Sequence, residues 1–331
     1  MKKDKKIAGL YVIAVVFAII SLLLFGKAFL SETEMPGQKE SGDASNVTEN
    51  QGNVVNPVEN NQVVDLSAQS ISLDEFNALF KGEGGVKSEK AVIEGVPVNI
   101  FYTDMQDAMP IVIMQHGLEA NKDSISELAN SFAMQGYVVI TPDAVGYGDL
   151  ADGNGRTVAE ILEGTAQNFE KVLDFVCQSE HIDENRVGLC GVSLGGLTSL
   201  YYAANGEHDV DVVVSFCATP DFTSFAGAKA VSCYYTDKNS MAEKDGEKVK
   251  SMEENMISLS PYDKLMSKEN LALFLMCGAE DQVVPPEGNV TFYQEATAAG
   301  KNVGLVVKDN QGHSVEVDEM YAALAFMVEN L

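Results

Sequence analysis

The chain has 331 residues, 46% of them hydrophobic and 21% charged, enough for one large domain or two modest ones with a substantial core. Its 49 acidic residues outnumber its 22 basic ones, for a formal net charge of −27. Such a surface repels phosphate backbones and anionic headgroups, which argues against nucleic-acid binding and favours solubility.

Residues 1–6 read MKKDKK, and Ile7 to Phe25 follow as 19 residues without a charge. That run can span a bilayer and is longer than most signal-peptide cores, so residues 1–30 are read as a membrane anchor or signal segment. The basic flank stays in the cytoplasm and the remainder faces outward from the cell membrane. Cleavage after Gly26-Lys27-Ala28 is the rival reading, and it exports the same domain as a secreted protein. Residues 31–70 hold no aromatic side chain and are dominated by Asn, Gln, Glu, Ser, Gly and Val. They bury too little apolar surface to offset ordering entropy and are expected to form a flexible spacer.

From residue 71 the texture changes. ISLDEFNALF predicts a short amphipathic helix, and KAVIEGVPVNIFYTD predicts two strands around Glu94-Gly95. The chain then alternates. PIVIMQHG is an apolar strand, KDSISELANSFAMQG a helix closed by Gly136, YVVITPD a strand and TVAEILEGTAQNFEKVLDFVCQ a long helix. RVGLCGVS runs into the helix LGGLTSLYYAAN, and VDVVVSFCA is the next strand. About fifty residues read as largely irregular, and 219–270 is taken as a cap-like insertion, within which the charged stretch between Glu243 and Asp263 reads as a solvated helix. Strand LALFLMCG, helix NVTFYQEATAAG, strand VGLVVKD and a final helix from Glu316 complete the order. Continuous apolar strands between amphipathic helices imply an α/β fold, a mostly parallel sheet covered on both faces. In such sheets functional groups gather at the carboxyl ends of the strands.

Five cysteines do not form an obvious disulfide framework, and Cys190, Cys217 and Cys277 read as small apolar fillers of core strands. No spacing suggests metal ligands, and no cofactor is implied.

Gly191-Val192-Ser193-Leu194-Gly195 places a serine where a strand becomes a helix. The two glycines permit a tight turn, and the helix start offers unpaired N–H groups to an oxyanion. A serine hydroxyl needs a base, and the base needs an orienting group. Of the four histidines, His181 and His208 precede strands and fall at the wrong end of the sheet. His116 follows a strand but stands directly before a glycine. His313 follows the final strand at Ser193's end and is the candidate base. Asp281, after the next-to-last strand, is the candidate acid; Asp309, four residues before His313, is the rival.

The order of GVSLGG, GAEDQVVPP and QGHS resembles an α/β-hydrolase over about residues 87–331. MQHGLEAN is similar to that superfamily's His-Gly oxyanion loop, and TPDAVGYGD to its Asp-x-x-Gly-x-Gly turn. The resemblance implies an oxyanion hole from the backbone N–H groups of Leu118 and Leu194, a structural role for His116, and architectural roles for Asp143 and Asp149. The texture resembles dienelactone-hydrolase and prolyl-oligopeptidase-like esterases and acylaminoacyl peptidases. A short spacer stands where the larger peptidases carry a β-propeller, which favours an esterase acting on a small-molecule ester. A peptidase acting on short peptide-like substrates, or a thioesterase, is the alternative on the same scaffold; a non-catalytic envelope binding protein is the third reading. Phe222, Phe225, Tyr234, Tyr235 and Met241 of the insertion either line a substrate pocket or pack the insertion down.

Overall fold

The computed structural model describes residues 70–81, 85–104, 107–226 and 253–331. The N-terminal segment, the spacer and the middle of the insertion, with Tyr234, Tyr235 and Met241, lie outside the described residues. Among those described, no helix is long and apolar enough to cross a membrane.

Eight strands form one sheet: β1 (Lys87–Ile93), β2 (Val96–Tyr102), β3 (Met109–Gln115), β4 (Val138–Pro142), β5 (Ile182–Val192), β6 (Val212–Phe216), β7 (Ala272–Gly278) and β8 (Val303–Lys308). Their spatial order is β1-β2-β4-β3-β5-β6-β7-β8. The β1/β2 hairpin and the β2/β4 pair are antiparallel, and every other pairing is parallel. Parallel strands need crossover connections, and the amphipathic helices supply them. Helices α1 (Leu73–Leu79), α3 (Val158–Val176) and α4 (Leu194–Asn205) contribute Phe76, Phe169, Val172 and Leu200 to the core on one face. Helices α2 (Ser126–Ala133) and α8 (Val317–Asn330) cover the other face with Leu128, Phe132, Leu324 and Met327. β2, β3, β4, β6 and β7 are buried along their whole length, which explains why they read as unbroken apolar runs.

Two elements differ from the sequence expectation. β5 begins at Ile182 rather than near Arg186, because an irregularity in its pairing with β3 at Pro110/Ile111 accommodates the polar residues Asp183 to Arg186. The described parts of the insertion are also helical: α5 (Phe222–Ala226), residues 253–258 and α6 (Tyr262–Ser267). They are ordered by burial, since Phe222, Met256 and Leu265 are all within the main core. Phe222 therefore packs rather than lines an open pocket. The Ser260 hydroxyl pins the two ends of the insertion together, accepting from Phe222 N at 3.1 Å and donating to Pro220 O at 3.3 Å. Helix α7 (Glu287–Ala298) then crosses from β7 to β8.

Candidate active site

Ser193 is the residue between β5 and α4, with φ 54° and ψ −116°. A non-glycine residue with positive φ is strained, and here the strain turns the chain sharply and lifts the hydroxyl above the sheet. The flanking glycines make that turn possible: a Cβ on Gly191 would lie 2.2 Å from the Gly195 carbonyl carbon, and one on Gly195 would lie 2.1 Å from Gln115 O. Ser193 N donates to Phe216 O at 2.8 Å, which ties the turn to the end of β6.

His313 reaches the serine from the loop after β8. Its Nε2 is 2.8 Å from Ser193 Oγ, and its Nδ1 is 2.7 Å from Asp281 Oδ2. The Asp281 side chain is fully buried, and its other oxygen, Oδ1, accepts from Val283 N at 2.8 Å and Val284 N at 2.9 Å. Those two donors satisfy the carboxylate and fix its orientation. Asp309, the rival acid, is exposed on the far part of the same loop, and it is Asp281 that the fold brings to His313. His181 lies at the opposite end of β5, stacked near Phe80. His208 lies beside Asp174 and Glu170. His181 and His208 therefore make their contacts away from Ser193, and His313 makes its contact with it.

Sequence reasoning missed the residue that joins the acid loop to the histidine loop. Gln311 O accepts from Glu280 N at 2.9 Å, next to Asp281. Its side-chain Nε2 donates to Ser314 O at 2.7 Å and to Glu319 Oε2 at 3.2 Å. Gln311 and Glu319 are both buried, and Glu319 also accepts from Glu316 N at the start of α8. The approach is so close that a Cβ on Gly278 would sit 2.2 Å from Gln311 O. No local pattern in the sequence signals this cluster.

Cys217 differs from the sequence expectation of a simple strand filler. It follows β6 with φ 51°, and its Sγ donates to Ser314 O at 3.2 Å. Burial first, then the nearby Asp281 carboxylate, push its thiol pKa up to about 12.

On the other side of Ser193 runs the loop after β3. A Cβ on Gly117 would stand 3.6 Å from Ser193 Cβ, so this loop borders the serine. His116 is buried, and its Nε2 accepts from Ala144 N at 3.0 Å. The ring proton is therefore on Nδ1, which donates to Gly117 O at 2.7 Å. Holding that carbonyl aims the N–H of the same trans peptide, that of Leu118, in the opposite direction. Burial lowers the His116 pKa against the raising effects of its Gly117 bond and nearby Asp143, so the ring is held neutral. Leu194 is the first residue of α4, and its N–H has no intrahelical acceptor.

The same loop is pinned from below. The fully buried Asp143 carboxylate accepts from Lys122 N and Lys122 Nζ, each at 2.8 Å, and from Asp149 N at 2.9 Å. Lys122 Nζ also donates to Asp149 Oδ2 at 2.6 Å. Burial disfavours the ammonium, but its bonds to Asp143 and Asp149 outweigh this and raise the Lys122 pKa. Asp143 and Asp149 thus bind Lys122 rather than the serine site. Lys122 itself reads in the sequence as an ordinary helix-start residue.

The strand order, the strained serine turn and the Ser-His-Asp contacts at the carboxyl edge define an α/β-hydrolase. Over residues 124–331, more than half of the chain, the sequence matches the prolyl oligopeptidase family, Peptidase_S9, and the chain belongs to that family. Protein usf of Aquifex pyrophilus is 28% identical over 138 residues, covering 39% of this chain and 60% of usf. YitV of Bacillus subtilis (strain 168), which carries a provisional esterase name, is 25% identical over 221 residues, covering 63% of this chain and 83% of YitV. A puromycin-hydrolyzing peptidase of Mycobacterium tuberculosis superposes with a TM-score of 0.59 at 17% identity, over 74% of this chain and 39% of that one. At that identity the likeness concerns the fold.

Proposed function

We propose that this chain is a serine hydrolase that cleaves carboxylic esters through an acyl-enzyme. The observation that carries the reading is His313 standing between Ser193 Oγ, at 2.8 Å, and Asp281 Oδ2, at 2.7 Å. His313 Nε2 takes the Ser193 proton as Oγ attacks the ester carbonyl, and Asp281 holds the ring in the productive tautomer. The backbone N–H groups of Leu118 and Leu194 receive the developing oxyanion, each worth about 3–4 kcal/mol if lost. His313 then protonates the leaving alcohol, and water releases the acid by the reverse sequence. No cofactor enters this scheme. The relation to YitV, which covers 83% of YitV and 63% of this chain, supports an ester substrate, whereas the peptidase noted above is matched over only 39% of its chain. Family membership supports a second reading, a serine peptidase or thioesterase using the same residues.

The domain plan belongs to the same proposal. Residues 1–30 anchor the protein in the cell membrane, residues 31–70 act as a spacer, and residues 71–331 form the hydrolase outside, with 219–270 inserted as a cap. Fluorophosphonate labelling and hydrolysis of short-chain p-nitrophenyl esters test the chemistry. The full chain should label and turn over, and Ser193→Ala should lose labelling and about 10⁶-fold in kcat. A folded wild type that neither labels nor hydrolyses esters or a peptide library would overturn the reading.

A further inference from the structure

Cys217 is not needed by the mechanism above, yet it borders the two residues that would hold and use the proton. Cys217 Sγ, an Asp281 carboxylate oxygen and a His313 ring nitrogen all lie within 4.8 Å of one another. They come from three separate loops, after β6, β7 and β8, so no sequence spacing links them. A soft sulfur, an imidazole and a carboxylate together match the preferences of zinc and its thiophilic analogues rather than those of magnesium or calcium. Around a tetrahedral zinc ion, bonds of about 2.0–2.3 Å place the ligand atoms roughly 3.3–3.7 Å apart. Cys217 Sγ is within reach of such a set, and His313 Nδ1 and Asp281 Oδ2, 2.7 Å apart in their hydrogen bond, would part slightly to admit the ion between them.

We propose that Cys217, Asp281 and His313 form an inhibitory site for a thiophilic divalent cation such as Zn²⁺. On binding, the thiol loses its proton to solvent and sulfur and nitrogen lone pairs pass to the metal; nothing is oxidised or reduced. Thiolate and carboxylate together neutralise the ion, which removes the cost of burying either charge alone. The captured imidazole nitrogen is one that otherwise meets Ser193 or Asp281, because both ring nitrogens are engaged there. Metal binding and the Ser193 proton relay are therefore mutually exclusive. Glu170, Asp174 and His208, half-buried apart from the exposed Asp174, form a second cluster of ligand-type side chains among the described residues and serve as the internal control.

The inhibitory consequence rests on the serine-hydrolase reading, but the site itself can be tested without turnover. Co²⁺ is titrated into the full chain, and the thiolate-to-cobalt charge-transfer band is followed in wild type, Cys217→Ser, His313→Asn and His208→Asn. Zn²⁺ affinity is measured in parallel by competition with a chromophoric chelator. Wild type and His208→Asn should show the band, and Cys217→Ser should lose it. Cys217→Ser and His313→Asn should each weaken Zn²⁺ by about tenfold or more. With an ester substrate, Zn²⁺ should inhibit reversibly on chelation, and Cys217→Ser should need at least about tenfold more of it relative to its own uninhibited rate. Circular dichroism of each variant identifies any that fails to fold. An unchanged band or affinity in folded Cys217→Ser, or relief only in His208→Asn, would overturn the site. A metal-binding protein that never labels with fluorophosphonate would instead overturn the hydrolase reading and leave the site standing.

Discussion

His313 owes its position to groups on either side of it in the chain, and Gln311 is chief among them. Its carbonyl holds Glu280 and its amide holds Ser314, so it sets the separation of Asp281 and His313. Gln311→Ala should lower kcat by about 10- to 100-fold with little change in KM, because misplacement of about 1 Å costs that much. Rates normalised to fluorophosphonate-titrated sites are the measurement; an unchanged normalised kcat with a lower Tm would reduce Gln311 to a stabilising residue. His116 makes a different residue-scale prediction. Unfolded, it titrates near its ordinary value of 6.5, and in the fold burial places it lower. Between those two values the unfolded state binds more protons. Its contribution is therefore complete above pH 6.5 and is lost as the pH falls through that value toward the folded pKa. His116→Gln should melt below wild type at pH 8, and the gap should narrow on acidification; parallel Tm profiles would contradict this.

The elements were legible in the sequence to the extent that burial wrote a period into them. The apolar runs of β3, β4, β6 and β7 and the amphipathic repeat of α3 could be read directly, and the glycines around Ser193 marked the turn that presents it. Strand polarity then left His313 and Asp281 at the correct edge. What could not be read were contacts between loops: Cys217 with Ser314, Gln311 with Glu319, and Lys122 with Asp143 join residues 97, 8 and 21 positions apart without any periodic signature. Helices α5 and α6 of the insertion were also hidden, since segments so short take their order from docking onto the core rather than from pattern. Lys122 joins the loop after β3 to the turn after β4, and its ion pair with Asp143 is buried. Lys122→Met should leave that carboxylate without its cation and destabilise the fold by about 3–5 kcal/mol. Urea denaturation checks it, and a change below about 1 kcal/mol would assign the pair the weight of a surface contact.

For the whole molecule, the acidic balance bears on where the hydrolase domain resides. The chain as a whole carries a formal charge of −27, which disfavours anionic bilayer surfaces, so any retention at a membrane falls to the uncharged run from Ile7 to Phe25. The proposed anchor predicts that the full-length protein stays in the membrane fraction through high-salt and carbonate washes. A soluble, shortened product would favour cleavage instead. The distribution of the site residues also bears on how the chain acquires activity. Ser193, Asp281 and His313 follow β5, β7 and β8, and the register of the sheet brings them together only when β5, β6, β7 and β8 have all paired in parallel. Parallel pairing over such separations is slow because loop-closure entropy is lost before contacts compensate for it. Reactivity toward an active-site probe is therefore a clock for refolding that starts only once β5 to β8 have paired.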